Sequence, residues 1–141
     1  AGLLHDGGKQ VIEEYLPSGP PRDISLADES EAVGLDHAEL AEYILKQWNL
    51  PPSTSATVRY HHDYAKGGEM ARGAAALALA EGVCANWDLG VNVPMDLSKD
   101  VPKEKFSKLL DFLGLDPSKW DQVIWDIRQS LVGLDDLFCE D

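Results

Sequence analysis

The residues best suited to chemistry in this chain are its four histidines, because each stands beside an acid or another histidine. They occur in the pairs His5-Asp6 and Asp36-His37 and in the triplet His61-His62-Asp63. Imidazole and carboxylate groups bind borderline and hard divalent cations, and a site without thiolates suits Mn, Fe, Mg or Zn. A histidine taken alone could instead end a helix, where a cation is favourable. No H-x-x-x-H pair is present, so a shared metal site requires folding to bring separate segments together.

Glu81 is a further candidate ligand, since it is the only charged residue in the run AAALALAEGVCA at residues 74–85. On a helix it shares one face with Leu77 and Cys84. A carboxylate on an apolar face must be paired, protonated or bound to a metal. Metal ligation and ion pairing with a Lys or Arg are both open interpretations.

The opening stretch AGLLHDGGK places a polar pair inside an apolar run and follows it with Gly7 and Gly8. Each glycine costs a helix roughly 1 kcal/mol relative to alanine, so the stretch indicates a helix end or a functional site. The chain has no G-x-S-x-G, no Walker loop and no G-x-G-x-x-G. Serine-hydrolase, P-loop and dinucleotide sites are therefore not predicted.

Apolar residues recur at helical spacing and no segment alternates like a strand, so the predicted fold class is all-α. Ser25 or Asp28 and Asp36, with Glu39 three residues on, are the predicted helix caps. We expect helices at residues 2–16, about 25–33, 37–48, 70–87, 104–113 and 117–132. A further short helix is expected to follow a break at 49–55 and to run to about residue 60. Residues 17–23, 61–69 and 88–102 are predicted connections.

The length of 141 residues predicts a single domain over residues 1–141. Because the first residue is Ala1, we expect the C-terminal portion of a longer domain or protein. The net charge of -13 repels phosphate backbones, so nucleic acid and anionic membrane surfaces are excluded as expected partners. Two distant cysteines without a C-x-x-C favour a reducing cytoplasm, and Cys84 is predicted to be a small core residue.

Several segments together resemble the HDOD branch of the HD superfamily. AGLLHDGGK is similar to the HD-superfamily motif L-x-H-D-x-G-K. The wider resemblance is carried by AGLLHDGGKQVIEEYLP (1–17), VGLDHAELAEYILKQWNLP (33–51), VRYHHDY (58–64), AALALAEGVCANWDLG (75–90) and LLDFLGLDPSKWDQVIWDIRQSL (109–131). It implies an HD-like helical bundle in which His5 and Asp6 form an inward-facing dyad. The small residues after the dyad would let neighbouring backbone approach closely.

HD enzymes are metal-dependent phosphohydrolases, and the resemblance implies where their ligands would fall in this chain. His5 and Asp6 match the dyad, while His37 and the His61-His62 pair match extra ligand positions of the two-metal HD-GYP branch. Glu81 stands where the enzymes have a late aspartate, and their upstream histidine has no counterpart in this sequence. The stretch HHDYAKGGE lacks the G-Y-P loop of that branch, which disfavours cyclic-di-GMP hydrolysis.

HDOD domains are regarded as signalling modules, often with an incomplete metal site, and the resemblance implies this function here. The expected cofactor is a divalent metal (Mn, Fe, Mg or Zn) or none, held by His5, Asp6, His37, His61, His62 and Glu81. The expected partners are other signalling proteins or domains, or a small nucleotide-like ligand, in a bacterial cytoplasm. The alternatives are a phosphohydrolase acting on a nucleotide or phosphoester, with Asp6 and Lys9 catalytic, and a structural helical adaptor.

Overall fold

Helices are the only regular elements in the part of the chain that the computed structural model describes, residues 1–15, 24–87 and 96–138. The α-helices are α1 (Gly7–Glu13), α2 (Leu26–Val33), α3 (His37–Gln47), α4 (Pro52–Arg59), α5 (Ala71–Asn86), α6 (Ser107–Leu113) and α7 (Trp120–Phe138). Short 3-10 turns cover Tyr64–Lys66, Gly68–Met70, Lys103–Phe106 and Pro117–Lys119. This confirms the all-α fold class and fits an HD-like helical bundle. None of these helices is both long and apolar enough to cross a bilayer.

The prediction of a helix from residue 2 is wrong, because residues 2–6 form turns and α1 begins at Gly7. The His5 side chain explains the difference, since its Nδ1 lies 2.6 Å from the Gly2 carbonyl oxygen. A side chain that bonds nearby backbone in this way competes with the helical hydrogen bonds. The glycines that were candidates for a helix end therefore stand at a helix start.

Three later boundaries also differ from the prediction. The helix expected at 104–113 is a 3-10 turn followed by α6, which ends at Gly114 with a left-handed φ of 66°. The helix expected from 117 begins as a 3-10 turn, which the Asp116 side chain caps by accepting from the Ser118 N–H at 2.9 Å. It continues to Phe138 because a single glycine at 133 does not end a helix. Residues 16–23, 88–95 and Cys139 lie outside the described residues.

The chain divides into two compact units, Ala1–Ala78 and Leu79–Asp141. In the first unit α3 packs against both α1 and α4. Its core contains Ala41, Leu45, Val58 and Leu77, with Leu4 and Leu50 packed against them. The core of the second unit contains Val83, Trp87, Val101, Phe106, Leu110, Trp120 and Ile124. The expectation of one HD-like domain over the whole chain stays a prediction.

The start of α3 is fixed by a reciprocal cap. Asp36 accepts from the Glu39 N–H at 2.7 Å, and Glu39 accepts from the Asp36 N–H at 3.1 Å. Arg59 of α4 donates to Glu39 at 2.6 Å and so ties the cap to the next helix. His37 directly follows the capping residue, so the cap also fixes the position of the His37 backbone at the start of α3.

Replacing Asp36 with alanine is expected to lower the free energy of unfolding by about 1 kcal/mol, because the Glu39 N–H in the first turn of α3 loses its acceptor. Urea denaturation followed by circular dichroism measures the loss. Asp36→Asn keeps a capping oxygen and is expected to stay within about 0.5 kcal/mol of the wild type. An equal loss in both variants would attribute the effect to charge instead of capping.

Candidate metal site

His37 is held at the first turn of α3 by a buried acid from α2. Glu29 is 3% exposed and His37 is 2% exposed. The Glu29 Oε2 accepts from the His37 backbone N–H at 2.7 Å and lies 2.8 Å from its Nδ1. A ring proton on Nδ1 satisfies this carboxylate, which leaves Nε2 as the ring nitrogen of His37 that is available to a metal.

The His5-Asp6 pair reaches His37 because α1 and α3 approach closely at Gly8. A Cβ added to Gly8 would lie 2.8 Å from the carbonyl carbon of His37 and 2.9 Å from its Cα. Only a residue without a side chain fits this approach. The Asp6 carboxylate consequently lies between two rings, with Oδ2 at 3.1 Å from the His5 Nε2 and Oδ1 at 3.7 Å from the His37 Nε2.

His61 and His62 follow the last turn of α4 and complete the cluster. His61 is 0% exposed, and its Nδ1 lies 2.6 Å from the carbonyl oxygen of Val58 in the preceding turn. His62 is exposed, and its Nε2 lies 2.9 Å from the Nε2 of His37. The cluster is therefore buried at His37 and His61 and open to solvent at His62.

The four imidazole rings pack against one another although their segments are far apart in sequence. The ring centroids are separated by 5.4 Å for His5 and His61, 5.5 Å for His37 and His61, 4.9 Å for His37 and His62, and 3.8 Å for His61 and His62. We call these four histidines and Asp6 the histidine cluster. The structure thus brings together His5, Asp6, His37, His61 and His62, all of which the sequence proposed as metal ligands.

The distances within the histidine cluster fit one bound cation. One ligand atom from each of His37, His61 and His62 lies within 4.8 Å of the others. Ligand atoms around a cation with bonds of about 2.0–2.2 Å lie roughly 3 to 4.4 Å apart, so small side-chain adjustments suffice. Nδ1 of His5, like Nδ1 of His37 and His61, faces an oxygen acceptor, which is the outer-shell arrangement that orients a metal-binding imidazole.

Asp6 supplies the negative charge of the cluster. Partial burial raises the pKa of its carboxyl, but hydrogen bonds from His5 and Lys9 and the charges of both outweigh burial, so the pKa lies well below its usual range. The Lys9 ammonium lies 2.5 Å from Asp6 Oδ1 and is partly exposed. The Asp6 carboxylate is therefore negatively charged at neutral pH, and one of its oxygens is already paired with the Lys9 ammonium.

Glu81, the sixth proposed ligand, lies on α5 in the second unit and is partly buried. Its negative charge and, more strongly, burial raise the pKa of the neighbouring Cys84 thiol. Cys84 is only partly buried, so the predicted core position is too strong a description. The assignment of Glu81 and of the cluster residues as metal ligands stays a prediction.

Sequence reasoning missed Glu29, although a signal was present. Leu26 and Val33 are the other less exposed positions of α2, and Glu29 falls on the same face three residues after Leu26. An acid at the position where helical periodicity calls for an apolar residue is a candidate buried carboxylate.

A family model of the HDOD domain matches residues 1–64, which contain the whole histidine cluster and Glu29. No curated protein and no solved structure matches the chain in the same comparisons. The match bears out the resemblance in this region. The similarity noted for residues 75–90 and 109–131 lies beyond the matched range and stays a prediction.

Proposed function

We propose that this chain, whose residues 1–64 belong to the HDOD domain family, is a signal-transduction module whose histidine cluster binds a divalent cation and supports little catalysis. The observation that carries the proposal is the convergence of His37, His61 and His62 within 4.8 Å. Four imidazoles and one carboxylate from three segments form a donor set for a borderline transition metal. The same ion, once bound, would connect the start of α1, the start of α3 and the end of α4. Metal binding would therefore stabilise the packing of these three helices.

The chemistry of the donors indicates which cation to expect. Nitrogen donors outnumber oxygen donors in the cluster, and imidazole suits Zn and Fe better than Mg. A bound divalent ion supplies a Lewis acid at this position. Asp6 holds negative charge toward the ion, while Lys9 keeps that carboxylate paired at the rim.

The proposed partners are other signalling proteins or domains, or a small nucleotide-like ligand, in a bacterial cytoplasm. The charge of -13 supports this choice over nucleic acid and anionic membrane surfaces, because both would be repelled. The first experiment is metal analysis of the purified chain after incubation with each of Zn, Mn, Fe and Mg and removal of excess ion. About one transition-metal ion per chain supports the proposal, and retention of none contradicts it.

A phosphohydrolase is the second candidate function, and the position of Lys9 favours it. The Lys9 ammonium is partly exposed beside the histidine cluster, where it could hold the charge of a phosphate group. Three imidazoles that leave an open metal position are also compatible with a bound water. Against it stands Glu81, whose extra methylene would move a late carboxylate ligand by about 1.5 Å.

We expect little or no turnover of cyclic dinucleotides, nucleoside monophosphates or a generic phosphodiester with Mn, Mg, Fe or Zn supplied. Product formation by the chain should not exceed that of a metal-only blank. Metal-stimulated hydrolysis that Asp6→Ala abolishes with the fold intact would instead establish the phosphohydrolase. If Glu81→Asp then raised the rate, the longer acid would be the cause of the low activity.

A further inference from the structure

The Glu29 carboxylate makes more contacts with His37 than a simple ion pair requires. Its Oε2 lies 2.7 Å from the backbone nitrogen and 2.8 Å from Nδ1, and its Oε1 lies 3.0 Å from the same Nδ1. Both groups are almost completely buried, with side chains 4% and 3% exposed. The Glu29 carboxylate therefore holds the His37 ring through Nδ1 and the start of α3 through the His37 backbone N–H.

We propose that Glu29 is a positioning residue for the histidine cluster, acting through His37. The carboxylate accepts from Nδ1–H, so neutral His37 carries its proton on Nδ1 and presents its Nε2 lone pair to the cluster. This inference deepens the proposed metal-binding function and rests on it for the role of the ion. The choice of ring tautomer, however, exists in the metal-free protein.

The tautomer of His37 also determines the protonation of its neighbour. Since the Nε2 of His37 is an acceptor, the Nε2 of His62 at 2.9 Å must be the donor of the hydrogen bond between them. A cation held by both Nε2 atoms would require His62 to carry its proton on Nδ1 instead, so the neutral ring would change tautomer without net proton release.

Long-range proton–nitrogen NMR of the metal-free chain tests the tautomer directly. Spectra are recorded well above the ordinary imidazole pKa of about 6.5, and His37→Ala identifies the ring of His37. We expect the Nδ1–H form for His37 in the wild type and in Glu29→Gln, whose amide oxygen still accepts. We expect the Nε2–H form, which imidazole prefers in water, in Glu29→Leu. Glu31→Gln is the matched control, because it makes the same charge change at an exposed position of α2.

Titration with Zn²⁺ measures the second consequence. Loss of an outer-shell partner lowers metal affinity by about 10- to 100-fold, so we expect about 10-fold for Glu29→Gln and about 100-fold for Glu29→Leu. Glu31→Gln should bind like the wild type. If Glu29→Leu does not fold, as judged by circular dichroism, Glu29→Gln alone decides the affinity question.

Two results would overturn the role of Glu29. One is a wild-type His37 in the Nε2–H form, or an Nδ1–H form that persists in Glu29→Leu. The other is Zn²⁺ binding by Glu29→Gln that equals binding by Glu31→Gln. Failure of the wild type to bind Zn²⁺ would contradict the proposed function, while the NMR result would still decide whether Glu29 sets the tautomer.

Discussion

Replacing His37 with alanine is expected to lower the affinity of the chain for divalent transition metals by at least about 100-fold, more than the loss of an outer-shell partner. His37 lies between other members of the cluster, with its Nε2 at 2.9 Å from His62 and 3.7 Å from Asp6. Removing it takes away one of the three imidazoles whose ligand atoms lie within 4.8 Å of one another. Isothermal titration with Zn²⁺ measures the change.

Two further variants make this result interpretable. Gln47→Ala alters an exposed polar position on the same helix and should bind Zn²⁺ like the wild type. His62→Ala removes a proposed ligand that is exposed, so it should retain the fold and still weaken binding by about 10-fold or more. Unchanged affinity in both histidine variants would mean that the cluster is a packing arrangement and does not bind metal.

Replacing Gly8 with alanine is expected to lower the free energy of unfolding by about 3 kcal/mol. The new Cβ would meet the backbone of His37 at separations below 3.0 Å, and backbone cannot move aside as a flexible side chain can. The two helices must separate, which also moves Asp6 away from His37. Chemical denaturation gives the stability, and Zn²⁺ titration of the folded variant should show weakened binding.

Gly7→Ala is the matched control for this change. A Cβ on Gly7 would have no heavy atom within 4 Å, and its φ is not positive. Alanine at this exposed helical position should be neutral or raise the free energy of unfolding by about 0.5 kcal/mol. A similar loss in the two variants would show that the close approach at Gly8 is not the cause.

The helical fold was predictable because it depends on local signals. The stripe of apolar residues in α3 and the pair Asp36 and Glu39 indicated both the helix and its first residue. The start of α1 was not predictable in this way, since periodicity does not reveal that the His5 side chain bonds the Gly2 carbonyl. Helix ends that depend on a single side-chain hydrogen bond are decided by geometry and not by pattern.

The candidate site was predictable only in part. Spacing alone could not place His5, His37 and His61 together, and the resemblance to a known family suggested their convergence. Glu29 was missed because an acid on the apolar face of a short helix indicates burial but does not reveal which side chain it contacts. The sequence analysis expected neighbouring backbone to approach closely at the glycines after Asp6. It could not identify the His37 backbone as the contact of Gly8, because that contact depends on how α1 and α3 pack.

The most direct test of the proposed metal site is an anomalous diffraction experiment on crystals of the chain grown with Zn²⁺. Data collected on either side of the zinc absorption edge identify the bound ion as zinc. We expect one anomalous peak about 2.0–2.1 Å from the Nε2 atoms of His37, His61 and His62, next to the Asp6 carboxylate. A saturated crystal with no peak there, or with zinc only at surface carboxylates, would contradict the proposed metal site.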